Sequence, residues 1–225
     1  MVNLAFSSCA ARISGPLNAD GSGNFKITAS LEPGTAALIR RISAFTGTTP
    51  AANSSILDGA AIAKSMSTAP GISNVSFVNQ GPTAIDGQVQ ISKINDFLAS
   101  GGTGFISFEQ TSSGGRCLIN INRETGPQIL NMLSPDITGY LSALMAPIAT
   151  GETLSKAEYL GLVGTIYGRV ISDEIASSRI NVSISFPSTV RSVKGGTSSG
   201  RQAIFDIALV DLLVLETPLN YEVIW

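Results

Sequence analysis

Asn24-Phe25-Lys26-Ile27-Thr28-Ala29-Ser30-Leu31 alternates apolar and polar side chains along its whole length. A period of two puts Phe25, Ile27, Ala29 and Leu31 on one buried face of a strand and leaves the other face wet. Asp20-Gly21-Ser22-Gly23 just before it is turn chemistry and joins this strand to residues 11–15 as a hairpin. Just after it, Glu32-Pro33-Gly34 opens a helix that runs to about Phe45, with Pro33 suited to a first helical position and Gly47 near the end.

Further along, residues 46–57 are small and polar and read as a loop. A short helix follows over residues 58–68, with Asp58 as its N-cap, and Pro70-Gly71 breaks it. Two strands come next, near residues 72–79 and 84–92. In the second, Ile85, Val89 and Ile91 alternate with Asp86, Gln88 and Gln90. Residues 96–100 form a short helix. Residues 105–110 and 116–122 flank Thr111-Ser112-Ser113-Gly114-Gly115 and give the strongest hairpin signal in the chain. Three helices then begin in turn at Pro127, at Ser134-Pro135 and at the capping box Ser155-Lys156-Ala157-Glu158. The third runs to about Ser177, with Leu160, Val163, Tyr167, Val170, Ile171 and Ile175 as its apolar stripe. The C-terminal quarter returns to strands over residues 180–186, 201–210 and 219–225. Strands at both ends around grouped helices predict an α+β fold: antiparallel β-sheets with a central group of α-helices packed on one face. Residues 10–225 are expected to form a single domain.

Composition narrows the function. There is no histidine among the 225 residues, which removes the usual general base, the usual neutral metal ligand and the middle member of nucleophile triads. A formal net charge of −2 argues against a nucleic-acid partner and a polybasic membrane patch. No apolar run approaches the roughly 18–20 residues of a membrane span. Gly196-Thr197-Ser198-Ser199-Gly200 matches the G-x-S-x-G serine elbow in letters, but it lies between strand-like segments and has no histidine to serve it, so a hairpin loop explains it. Asp173 and Glu174 are adjacent on a helix and diverge by about 100°. Asp206 and Asp211 lack a calcium-type loop. No metal, cofactor or catalytic residue is assigned.

The two cysteines, Cys9 and Cys117, allow one disulfide, although spacing alone cannot place them together. Cys117 sits on the same strand face as Ile119 and Ile121 and reads as a small buried hydrophobe. Leu4-Ala5-Phe6-Ser7-Ser8-Cys9 resembles a relaxed lipobox, the site where bacterial lipoproteins are cleaved and acylated. It departs from one in having no positive n-region and only a stub of an apolar h-region. On this reading residues 1–9 are the remnant of a signal region and Cys9 is lipidated. The plain alternative is an N-terminus with a free thiol.

Val182-Ser183-Ile184-Ser185-Phe186-Pro187-Ser188-Thr189-Val190, then Gly195-Gly196, Ala203-Ile204-Phe205-Asp206, Leu209-Val210-Asp211-Leu212-Leu213 and Trp225, carry a recognisable cadence. It resembles the LppM-like domain of bacterial envelope lipoproteins, with a strand ending at Phe-Pro, a glycine turn, an aromatic-centred strand and a closing β-segment. The likeness is good over residues 180–225 and loose over the middle. Ser188 stands where that family usually has glycine, and many relatives continue into a C-terminal membrane helix whereas this sequence stops at Trp225, which shifts the weight of anchoring to Cys9. The resemblance implies a membrane-anchored domain of the cell envelope, periplasmic or surface-exposed, that binds lipids or glycolipids.

Leu130, Leu133, Tyr140, Leu144 and Met145, with neighbours Ile129, Met132 and Leu141, are suited to lining an apolar cleft for such a ligand. Gly164, Tyr167 and Gly168 are expected to shape it, since glycines at this spacing let another element approach closely. Ordinary core packing is the plain alternative. Two other functions compete: an envelope scaffold that contacts proteins and holds no small ligand, and, less favoured, a carboxylate-based hydrolase. The last would need a facing acid pair about 5–10 Å apart.

Overall fold

The structure is a computed structural model that describes residues 9–45, 55–100, 104–111, 114–130 and 135–225. The alternating stretch forms β2 (Gly23–Ser30), and the Asp20–Gly23 turn pairs it with β1 (Cys9–Pro16). Asp20 builds that turn by accepting from the Ser22 amide at 2.9 Å and its hydroxyl at 2.6 Å, which holds the Asp20 carboxyl below its ordinary range. The helix opened by Pro33 is α1 (Pro33–Phe45). The next helix is α2 (Gly59–Met66), and Asp58 caps it through the amides of Ala60 and Ala61. Then come β3 (Ile72–Asn79), β4 (Ala84–Ile91), α3 (Ile94–Ser100), β5 (Ile106–Thr111) and β6 (Gly114–Ile121), close to the sequence reading.

The helical middle comprises α4 (Gly126–Leu130), α5 (Pro135–Ala143), α6 (Pro147–Thr150), α7 (Lys156–Tyr167) and α8 (Arg169–Ser177). The capping box forms as expected, with Ser155 and Glu158 exchanging hydrogen bonds. The single long helix does not form. Gly168, at φ 98°, separates α7 from α8. The Ser172 hydroxyl donates to the Leu160 carbonyl at 2.9 Å, so α8 folds back on α7. The break resets the helical phase. Val170, placed on the apolar stripe by the sequence, is 66% exposed, while Tyr159, which the stripe omitted, is wholly buried.

The chain ends with β7 (Arg179–Ser185), β8 (Ser192–Lys194), β9 (Thr197–Ser199), β10 (Gln202–Ala208), α9 (Leu209–Val214) and β11 (Leu219–Ile224). Helix α9 corrects the expected strand over residues 201–210, which stops at Ala208. Leu209-Val210-Asp211-Leu212-Leu213-Val214 is apolar at nearly every position and carries no period of its own, so burial among the other helices decides its conformation. The 196–200 segment is the edge strand β9 between Gly195 (φ 78°) and Gly200 (φ 58°), not a strand-to-helix elbow.

Seven strands form one sheet in the order β3-β4-β2-β1-β7-β10-β9, and four form a second in the order β5-β6-β11-β8. All neighbours are antiparallel except β1 and β7, which run parallel with Ile13 opposite Val182. The class is α+β, with mixed sheets. Phe25, Phe205 and Ala203 of the larger sheet and Phe108 and Val223 of the smaller meet in one core around Trp225. The indole lies 4.4 Å from the Phe186 ring and 5.7 Å from that of Phe108. Gly115 makes room for it, since a Cβ there would sit 2.3 Å from the indole Cζ2. Cys117 packs against the same core with a free thiol, so the Cys9–Cys117 disulfide does not form. Burial pushes that thiol up to about 11, leaving it protonated and a poor nucleophile at neutral pH. A second core joins Leu38 of α1 to Tyr159, Val163, Ile171, Ile175, Val210 and Leu213 of the helices.

Tyr159 brings a hydroxyl with no hydrogen-bond partner into this core. Tyr159→Phe keeps the ring and removes the orphaned group, so stability should hold or rise by up to about 1 kcal/mol. Urea unfolding reads this directly, and a loss larger than that would show that the hydroxyl is bonded in solution.

Candidate functional site

An apolar cavity of about 250 Å³ lies between the larger sheet and the helices. Its sheet wall comes from three adjacent strands: Ala11 of β1, Ala29 of β2 and Ile180 of β7. Ala11 is directly opposite Ala29 in one ladder and Ile180 in the other. Two methyl side chains meeting across a ladder leave space that larger residues would fill. The helical wall is Ile39 of α1, Tyr140 and Leu141 of α5, Leu144 just beyond it, Ile175 of α8, and Leu209 and Leu213 of α9. Ser30, Glu32, Thr35 and Ser178 supply the polar part of the lining.

Glu174 holds two sides of this cavity together. Its carboxylate leaves α8 and accepts from the Gly34 amide at 2.8 Å, the Thr35 amide at 2.7 Å and the Thr35 hydroxyl at 2.9 Å. It thereby caps the N-terminus of α1, which has no acidic residue in its own first turn. A Cβ at Gly34 would lie 2.7 Å from Glu174 Oε1, so a larger residue there would push the carboxylate aside. Ser178, only 5% exposed, donates its hydroxyl to the Glu174 carbonyl, and its own carbonyl accepts from the Leu209 amide. These bonds join α1, α8, β7 and α9 at the polar side of an otherwise greasy space.

Of the residues the sequence suggested, Tyr140 and Leu144 line the cavity, together with Leu141. Leu133 and Met132 lie outside the described residues. Leu130 and Ile129 pack against the helical core instead. Met145 follows Leu144 at φ 55° and is not part of the lining. Gly164 faces Ser172, at 3.6 Å from a virtual Cβ, so it serves the α7–α8 contact and not an approach to the sheet. Tyr167 donates its hydroxyl to the Ala143 carbonyl, and Gly168 is the helix break. Sequence reading missed Ala11, Ala29 and Ile39. The signal available was the small residues at Ala10, Ala11 and Ala29 on strand faces where large ones are usual.

The other acids weighed from the sequence pair with cations away from the cavity. Asp173 pairs with Arg169 at 3.8 Å, Asp206 with Arg179 at 3.9 Å and Asp211 with Lys156 at 2.8 Å. Among the described residues, no three His, Cys, Asp or Glu side chains come together as a metal site, and no helix is long and apolar enough to cross a membrane. A wider hollow of about 450 Å³ beside Gln110, Thr111 and Ser188 is more open and more mixed in polarity, and offers an alkyl chain less apolar contact.

No protein-family model and no curated protein matches the chain. Among solved structures it is similar to the NMR structure of the folded domain of LppM from Mycobacterium tuberculosis, with a TM-score of 0.40 and 11% identity over 100% of this chain and 94% of that one. This is a distant structural relationship.

The Glu174 clamp has a measurable weight. Glu174→Ala leaves two amides of α1 without their acceptor and should cost about 1–2 kcal/mol in chemical denaturation. Asp173→Ala, one residue away and exposed, should stay within about 0.5 kcal/mol of the parent.

Proposed function

We propose that this chain is a non-enzymatic domain of the bacterial cell envelope that holds the acyl chain of a lipid or glycolipid in the cavity between sheet and helices, and that it is tethered to the membrane through acylated Cys9. The single observation that carries the reading is the cavity itself. Its roughly 250 Å³ is partly open to solvent and is lined mainly by apolar side chains, the setting that suits an alkyl chain. A bound alkyl chain takes that apolar lining out of water. At about 30 Å³ per water-sized group, the space takes a single chain segment of roughly eight methylenes.

Position supports the tether. Ala10 and Ala11, which line the cavity, directly follow Cys9, and the Cys9 backbone is the first of β1, opposite Arg179. An acylated residue 9 would therefore hold the bilayer beside the cavity wall. The LppM-like cadence of residues 182–225 points to the same compartment.

Roughly eight buried methylenes at about 0.8 kcal/mol each correspond to a Kd on the order of tens of micromolar. Native mass spectrometry and calorimetry with 1-decanoyl-glycerol should show one molecule bound per chain at that affinity. Ala29→Leu, which fills the sheet wall, should abolish it, and Ala11→Val should weaken it. Absence of any adduct with the parent protein, or equal binding by Ala29→Leu, would overturn the assignment.

One observation favours a second reading, a scaffold that contacts another envelope protein. β3 is an outer strand of the larger sheet, carries no charged residue, and exposes 59% of Val78. That reading expects a crosslinked partner along β3 in native membranes that Val78→Lys removes.

A further inference from the structure

We infer, on the reading that the cavity takes an acyl chain, that it grips only part of that chain: it measures out an unbranched segment of about eight carbons against a wall of alanines and leaves the rest of the lipid outside. The alanine wall carries this. Ala10, Ala11 and Ala29 all line the cavity. Neighbours along a regular strand face opposite sides of a sheet, so Ala10 and Ala11 would not ordinarily share one lining. The exception lies where the register between β1 and β7 slips: Cys9 is opposite Arg179 and Ala11 is opposite Ile180, so Ala10 is an extra residue. An extra residue of this kind bends the strand and re-aims side chains.

The backbone beneath these methyl groups is held in place. Ala11 is laddered to Ala29 on one side and to Ile180 on the other. Across the space, Ile39 and Leu213 are buried, and Glu174 ties α8 to α1. The room for a ligand is therefore set by side-chain size at the alanine positions. Each carbon added there displaces one carbon of the ligand, because packed interiors leave no slack to absorb it. The cavity is also partly open to solvent. A chain longer than the space is not refused, and its remaining carbons protrude. Protruding carbons lose little contact with water or bilayer and add little to binding. Affinity thus rises with chain length only until the space is full. The domain holds a bilayer lipid by a portion of one chain and does not enclose it for passage through water.

NMR titration with the 1-hexanoyl, 1-octanoyl, 1-decanoyl and 1-dodecanoyl esters of glycerol, each below its micelle concentration, reads the measure directly. The head is constant and only the chain varies. Each buried carbon is worth about four-fold in affinity, so the octanoyl ester should bind about fifteen-fold more tightly than the hexanoyl. The dodecanoyl ester should match the decanoyl within about three-fold. Ala29→Val adds two carbons to the wall and suits a strand. It should leave the hexanoyl ester unaffected and weaken the decanoyl ester about fifteen-fold. A larger gain from decanoyl to dodecanoyl on the unaltered protein would overturn the measure and leave the acyl-chain reading standing. An equal loss for every ester in Ala29→Val would overturn it too, with the melting temperature as the check on folding. If the variant fails to fold, the series on the unaltered protein decides alone. Failure of all four esters to bind the unaltered protein would instead overturn the acyl-chain reading on which the measure rests.

Discussion

A carboxylate from α8 closing the first turn of α1 is the contact that ties two walls of the cavity to one another. Glu174 reaches across 140 residues of sequence to satisfy two backbone amides and a hydroxyl. Without it α1 would begin with unpaired donors in a partly buried setting, which is costly. With it, α1 and α8 are held at a fixed separation over the ends of β1, β2 and β7. The cavity is the space that this separation leaves above Ala11 and Ala29.

The same bond shapes the chemistry of the cavity. A helix N-terminus at the edge of an apolar space is ordinarily an invitation to an anion. Here the donors of that N-terminus are taken internally by Glu174. The aromatic core around Trp225 is built from residues of both sheets and is a separate cluster from the helical core beside the cavity.

Much of the fold was legible locally. The hairpin of β1 and β2, the strands β3 through β6, the Asp58 cap and the Ser155–Glu158 capping box all follow from side-chain period and from bonds that span a few residues. The failures share a cause. The α7–α8 stripe was drawn through Gly168 because a helical period has no memory of a left-handed glycine within it, and Tyr159 and Val170 changed places as a result. Residues 209–214 are apolar at every position but Asp211, so either a strand or a helix satisfied them until neighbouring helices covered them. For the cavity, Tyr140 and Leu144 were anticipated as apolar residues on a helix, whereas Ala11 and Ala29, small residues on strands, were not read as lining.

By itself, the sequence determined the kinds of element, their caps and turns, and a chemistry without imidazole. These are short-range properties, decided by each side chain and its neighbours along the chain. Tertiary structure alone decided that two alanines would face each other across a ladder, that β1 would run parallel to β7, and that Glu174 would meet Gly34 and Thr35. Those outcomes depend on which distant segments bury their apolar faces together, and a cavity is the remainder of that packing, written in no single stretch of residues.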